Sequence, residues 1–179
     1  AQTLQNHKGT IKLLGDMQSG TMSVDGRLDA SAPNGGNGGF IETSAARVSI
    51  RDSVVVTTAA AQGLTGTWLI DPQDFIVGAG GNITGATLGA QLVTNSVEIT
   101  TAPGPGNGDI FINQAVTWVA APTTTTLTLT AFRDVNINAA ITATNGNLSV
   151  CCGRDVNVNG AITTVNGSIL LAAGRNVSM

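Results

Sequence analysis

Arg133-Asp134-Val135-Asn136-Ile137-Asn138 returns as Arg154-Asp155-Val156-Asn157-Val158-Asn159, and again as Arg175-Asn176-Val177-Ser178-Met179. The interval is 21 residues both times. Outward from this stretch the same step links Leu127, Leu148 and Ile169, then Leu129, Val150 and Leu171, then Ile141 and Ile162. Asn145-Gly146 returns as Asn166-Gly167. Apolar positions stay apolar and turn positions stay Asn-Gly, which is the mark of a repeat architecture.

One step earlier the phase survives with four extra residues. Asp109-Ile110-Phe111-Ile112-Asn113 lines up with Asp134 to Asn138, 25 residues on, and the excess is expected at Ala121-Pro122-Thr123-Thr124. A weaker echo runs from Asn37-Gly38-Gly39-Phe40-Ile41 through Arg47-Val48-Ser49-Ile50, resembling Asn166 through Met179. Gly20-Thr21-Met22-Ser23-Val24-Asp25-Gly26 reads as the second half of a further unit. Trp68 to Ile99 is the least regular part, with glycines from Gly78 to Gly89.

A unit of short strands and Asn-Gly turns cannot bury its own apolar face. Stacked copies can, with Val135 on Val156 on Val177 and each backbone N–H paired to the copy above or below. The reading is an all-β parallel solenoid with about 21 residues per coil. Roughly eight coils at about 4.8 Å each predict a rod on the order of 40 Å long. Strand parity turns Val135, Ile137, Ile141 and Ala143 inward, and Asn136 and Asn138 into outward ladders. An antiparallel sandwich also uses short strands, but it needs no fixed interval. Three stretches of one continuous solenoid follow: imperfect coils over 1–65, irregular Gly-rich coils over 66–108, and regular coils over 109–179.

Composition agrees. The chain has 179 residues, of which 24 are Thr, 15 Asn and 23 Gly, with no Tyr. Thr favours strands, while Asn and Gly suit tight turns. Long runs of helix formers are missing. Only 11% of residues are charged and the net charge is −3, which argues against nucleic acid as a partner. The Ala1-Gln2-Thr3-Leu4 opening is not a basic-then-apolar leader, so an export signal is expected to have been removed or to lie outside this segment. Met179 falls inside a repeat, so the segment is expected to be part of something longer.

Gly66-Thr67-Trp68-Leu69-Ile70-Asp71-Pro72-Gln73-Asp74-Phe75-Ile76, Gly39-Phe40-Ile41-Glu42-Thr43-Ser44 and Gly108-Asp109-Ile110-Phe111-Ile112-Asn113 together resemble the filamentous-haemagglutinin-like exoproteins of Gram-negative bacteria, the passengers of two-partner secretion. The resemblance covers about residues 9 to 179, and its most specific part is the Trp-Leu-Ile-Asp-Pro block. It implies a right-handed parallel β-helix, secreted through an outer-membrane two-partner transporter. It also implies cell-surface display as an adhesin, with attachment and biofilm roles. The expected partners are then host or bacterial cell-surface glycans or proteins. The Asn-Pro-Asn motifs of the family's secretion domain have no match at Ala32-Pro33-Asn34-Gly35, so the segment resembles shaft and inherits no binding residue.

Candidate chemistry is sparse. Asp71 and Asp74 are the one close acid pair, read as flanking a turn, and no catalytic residue is assigned. A carbohydrate-active β-helix enzyme would need convergent carboxylates, and none are expected. Asp109, Asp134 and Asp155 should stack beside Arg133, Arg154 and Arg175 as an exposed charge stripe adding little stability, with no calcium and no other cofactor. Cys151 and Cys152 should face opposite ways along one strand, which makes a disulfide between them strained. His7 reads as solvated, and Trp118 as core. Trp68 and Trp118 are the side chains that could stack on sugars. Asn82, Asn147, Asn166 and Asn176 match the glycosylation sequon, which in an Asn- and Thr-rich chain is mostly chance, although some exoproteins of the family are glycosylated. An uncapped coil end near Met179 would allow end-to-end self-association into a filament.

Overall fold

The computed structural model describes residues 5–6 and 9–179. The chain lays down strands in passes. After β1 (Gln5–Asn6) the first pass is β2 (Thr10–Leu14), β3 (Thr21–Val24) and β4 (Arg27–Asp29), and the second is β5 (Phe40–Ser44), β6 (Arg47–Ile50) and β7 (Val55–Thr57). The third is β8 (Thr67–Asp71), β9 (Phe75–Val77) and a helix, α1 (Gly85–Leu92). Then come β10 (Ser96–Thr100), β11 (Ile110–Ile112) and β12 (Val116–Val119), followed by β13 (Thr125–Ala131), β14 (Val135–Ile137) and β15 (Ile141–Thr144). The last strands are β16 (Gly146–Cys152), β17 (Asp155–Val158), β18 (Ile162–Val165), β19 (Ile169–Leu171) and β20 (Asn176–Ser178).

The first strand of each pass joins one long sheet in the order β1-β2-β5-β8-β10-β13-β16-β19. The second strands from β9 onward form β9-β11-β14-β17-β20, and the third strands from β12 onward form β12-β15-β18. The first two passes contribute the pairs β3-β6 and β4-β7 instead. All pairings are parallel except β1, which lies antiparallel on β2. The protein is therefore all-β with long parallel sheets, an arrangement compatible with a β-solenoid. Seven parallel strands in the long sheet span about 30 Å across the strands.

The register is the one the repeats imply. Val135 pairs with Val156 and Val156 with Val177, while Leu127 pairs with Leu148 and Leu148 with Ile169. Asn113 and Asn138 keep their 25-residue step and share a hydrogen bond. Val119 faces Thr144 but Thr125 faces Gly146, so the excess does fall in the corner between Val119 and Thr125. Further toward the N-terminus the interval widens: Asn37 bonds Leu64 27 residues away, and Ser96 bonds Thr126 30 away. The N-terminal echo holds in part. Phe40 and Ile41 do join the long sheet with Ser168 and Ile169, one residue out of the expected phase. Arg47–Ile50 pairs with Thr21–Val24 and not with the sheet of β20.

One inward row of the long sheet reads Ile11, Ile41, Trp68, Val97, Leu127, Leu148, Ile169, and all but the last are buried. The next row contains Thr43 among aliphatics; its hydroxyl accepts from the Trp68 indole at 3.1 Å, which gives the buried N–H its partner. Trp118 is also core, as expected. It shares its row with the small Ala143, and Gly146 lies so close to the indole that an added Cβ would sit 2.5 Å from Nε1. A large side chain is thus matched by small ones in the neighbouring pass.

The helix in the glycine-rich stretch was not expected. Thr84 caps it, accepting from the Thr87 N–H at 3.2 Å. Its glycines, poor in a free helix, allow close approach: a Cβ on Gly85 would lie 2.1 Å from the Ala115 carbonyl oxygen, and one on Gly89 2.4 Å from that of Thr117. Among the described residues no helix is long and apolar enough to cross a membrane.

Candidate functional site

The side chains that could carry chemistry fall into two groups on the parallel sheets. The first is the acid–arginine array. Asp109, Asp134 and Asp155 do stack, but they are only 2%, 5% and 8% exposed, so the expectation of an exposed stripe needs correcting. Each carboxylate turns under the next pass. Asp109 accepts from the Asp134 N–H at 3.1 Å and from Arg133 Nε at 2.8 Å; Asp134 accepts from the Asp155 N–H at 3.2 Å and Arg154 Nε at 2.7 Å. Asp155 accepts from Arg175 Nε at 2.9 Å and Asn176 Nδ2 at 3.0 Å, and a second guanidinium nitrogen closes each fork. The forked pairing fits two N–H groups to two carboxylate oxygens. The Arg154 guanidinium holds Asp134 below the usual carboxylate range, and the Arg175 guanidinium brings Asp155 to about 2.

Asp74 begins this array. It precedes Phe75 as Asp109 precedes Ile110, and those two residues pair. Without an arginine, its Oδ1 gathers the N–H groups of Asn107, Gly108 and Asp109 at 2.8 to 3.0 Å. Asp74 thus stitches a loop to the stack, and Asp71 belongs to a different face.

That face carries the second group. On the outer side of the long sheet Glu42 and Glu98 flank Leu69 in one row, and Asp71 lies two residues along β8, paired to Ser44. Burial raises the Asp71 pKa, and the negative charges of Glu42 and Glu98 raise it further. Asp71 Oδ1 is buried with no hydrogen-bond partner, the single such side-chain atom among the described residues. Lys12 neutralises one member, its Nζ lying 2.8 Å from Glu42 Oε2 and 5.8 Å from the Phe40 ring centre. Three carboxylates are therefore neighbours on one sheet face, a grouping the sequence reading did not single out. They come from three passes 27 to 29 residues apart, so no local spacing announces them.

Among the described residues no three His, Cys, Asp or Glu are grouped so as to hold a metal ion. Among the described residues, open concavities of 340 to 410 Å³ are lined by residues other than Glu42, Asp71 and Glu98. Cys151 is exposed and Cys152 buried, both free, as the alternating strand requires. His7 lies outside the described residues. Trp68 is wholly buried, which takes it off the surface.

The sequon asparagines all use their amides internally. Asn82 donates to Val48 O, Asn147 to Thr126 Oγ1, Asn166 to Asn145 Oδ1 and Asn176 to Asp155 Oδ1. Asn136–Asn157 and Asn113–Asn138–Asn159 form the expected amide ladders. Comparison with protein-family models, curated proteins and solved structures returned no match.

Proposed function

We propose that the chain is a right-handed parallel β-solenoid of stacked coils, a shaft segment of a secreted bacterial surface exoprotein that presents or mediates attachment to cells or matrix. The observation that carries this reading is the use made of the polar side chains. The acid–arginine forks, the asparagine ladders and the sequon amides are spent on holding one pass to the next. Such a stack is stabilised by nearest-neighbour contacts and can be extended without redesign, which suits a spacer. Binding along it would be weak per coil and multivalent. The outer-membrane two-partner transporter and cell-surface glycans or proteins are the proposed partners, as the sequence resemblance implies.

The test is binding of the fluorescently labelled 179-residue chain to epithelial and bacterial cells, with a glycan array alongside. Saturable binding supports an adhesive role. No binding by a demonstrably folded chain restricts the segment to presentation.

One observation favours a second reading, a carbohydrate-active β-helix. Asp71, with its pKa pushed up by burial and by the nearby Glu42 and Glu98, has one property of the general acid that glycoside cleavage uses, with Glu98 on the adjacent strand. Release of reducing ends from a neutral or acidic polysaccharide, abolished by Glu98→Gln, would establish it. A filament built end to end is less favoured, because β1 lies antiparallel across the N-terminal edge of the long sheet and would have to be displaced.

A further inference from the structure

Between the second and third passes the backbone ladder is interrupted on two of three faces. The long sheet continues, with β5 and β8 paired from Phe40–Thr67 to Ser44–Asp71. Neither β6 nor β7, however, finds a strand beyond it. Three amide side chains stand in the gap. On the second face Asn82 bridges β6 to β9: its Nδ2 donates to Val48 O at 2.6 Å, and its main-chain carbonyl accepts from the Ile50 N–H at 2.7 Å. On the other side its Oδ1 accepts from the Ile76 N–H at 2.7 Å. On the third face α1 replaces a strand. Gln91 accepts from the Val56 N–H at 3.0 Å and donates to Val54 O at 3.2 Å. Asn95 accepts from the Thr58 N–H at 2.6 Å and donates to Val56 O at 3.0 Å.

A primary amide carries the same donor and acceptor as a peptide group, so it satisfies a strand edge. It does so on a rotatable side chain, and three residues here do what a run of backbone does between later passes. In a stack governed by nearest-neighbour terms, the interface interrupted on two faces, where the next one is interrupted only between α1 and β12, divides the whole into two cooperative units.

We propose that this junction is a built-in seam, at which residues 9–65 open as a unit while residues 66–179 stay folded. The inference rests on the reading of successive passes as stacked coils and is independent of any adhesive role. A shaft with such a seam would yield there first, exposing the Val54–Thr58 edge and the underside of α1 and leaving the C-terminal stack intact.

The test is native-state hydrogen exchange on the full 179-residue chain at rising denaturant, read by mass spectrometry on peptides from 41–57 and 127–150. The expected result is two separate isotherms, with 41–57 the less protected. Asn95→Ala should raise exchange in 41–57 by roughly 10- to 100-fold and leave 127–150 within about twofold. A single shared isotherm in the unsubstituted chain, or equal acceleration of both regions by Asn95→Ala, overturns the seam. The first comparison needs no substitution, so it decides the matter even where Asn95→Ala does not fold.

Discussion

Replacing Asp134 with alanine separates the buried part of the acid–arginine array from its exposed part. The carboxylate does two things. It gives the Asp155 N–H its acceptor at 3.2 Å, and it receives the Arg154 fork. The Arg154 side chain is 44% exposed, so on losing its partner it turns to water and hydration returns most of what is lost. The Asp155 N–H sits in a residue only 8% exposed and has no such recourse. An orphaned buried donor costs about 1–3 kcal/mol, so Asp134→Ala should destabilise by about 2 kcal/mol. Asp134→Asn keeps an acceptor for that N–H and should cost about half as much. Asn176 already holds the equivalent place on the next strand, paired with Asp155.

Urea melts at pH 7 followed by circular dichroism would measure both. The pH dependence has a defined sign. Asp134 and Asp155 ionise below their usual range in the folded chain, so their contribution is complete above about pH 4, the unfolded value. It is lost as the pH falls below that value, and the gap between unsubstituted chain and Asp134→Ala should narrow without closing, because the protonated carboxyl still offers the Asp155 N–H an oxygen. A gap below about 0.5 kcal/mol at pH 7, or an asparagine as damaging as the alanine, would refute the account of where the energy resides.

Three further outcomes are expected. Val156→Asp puts a carboxylate at a fully buried position and should abolish cooperative melting, whereas Asn157→Asp loses little more than its bond to Asn136; similar melts from both would contradict the register. Asp71→Asn should stabilise the chain at neutral pH, because the raised folded pKa means the cost of the charged form appears as pH rises; the advantage should shrink toward pH 4, and a pH-independent difference between the two melts would count against it. Cys151 should react with a thiol reagent in the folded chain while Cys152, buried and with its thiol pKa pushed up, reacts only on unfolding, as peptide mapping would show.

How much of this was legible follows from how a stack is built. Where equivalent residues sit on one another, the sequence interval is the register, so Val135, Val156 and Val177 could be paired from their spacing alone. The four-residue excess before Thr125 was readable for the same reason, since the phase resumes on either side of it. Parity then separated inward Trp118 from outward Asn136 and set Cys151 and Cys152 on opposite faces, the structure deciding that Cys152 is the buried one.

The tertiary structure alone decided what depends on which neighbour a side chain finds. Arg154 reaches back to Asp134 at 2.7 Å, with its own neighbour Asp155 at 3.5 Å, and this crossing buries the carboxylates that a solvent-facing stripe would have left in water. Gly85 and Gly89 oppose a helix on propensity, yet α1 forms because a strand's backbone lies where their side chains would be. Asn82, Gln91 and Asn95 look like ordinary polar residues in an irregular stretch. They become peptide substitutes only because two strand edges are left open opposite them. Glu42, Asp71 and Glu98 likewise form a group only because three widely separated strands lie side by side, each about 4.8 Å from the next. Periodicity carries register because it is a property of the chain; partnership across an interrupted period is a property of space.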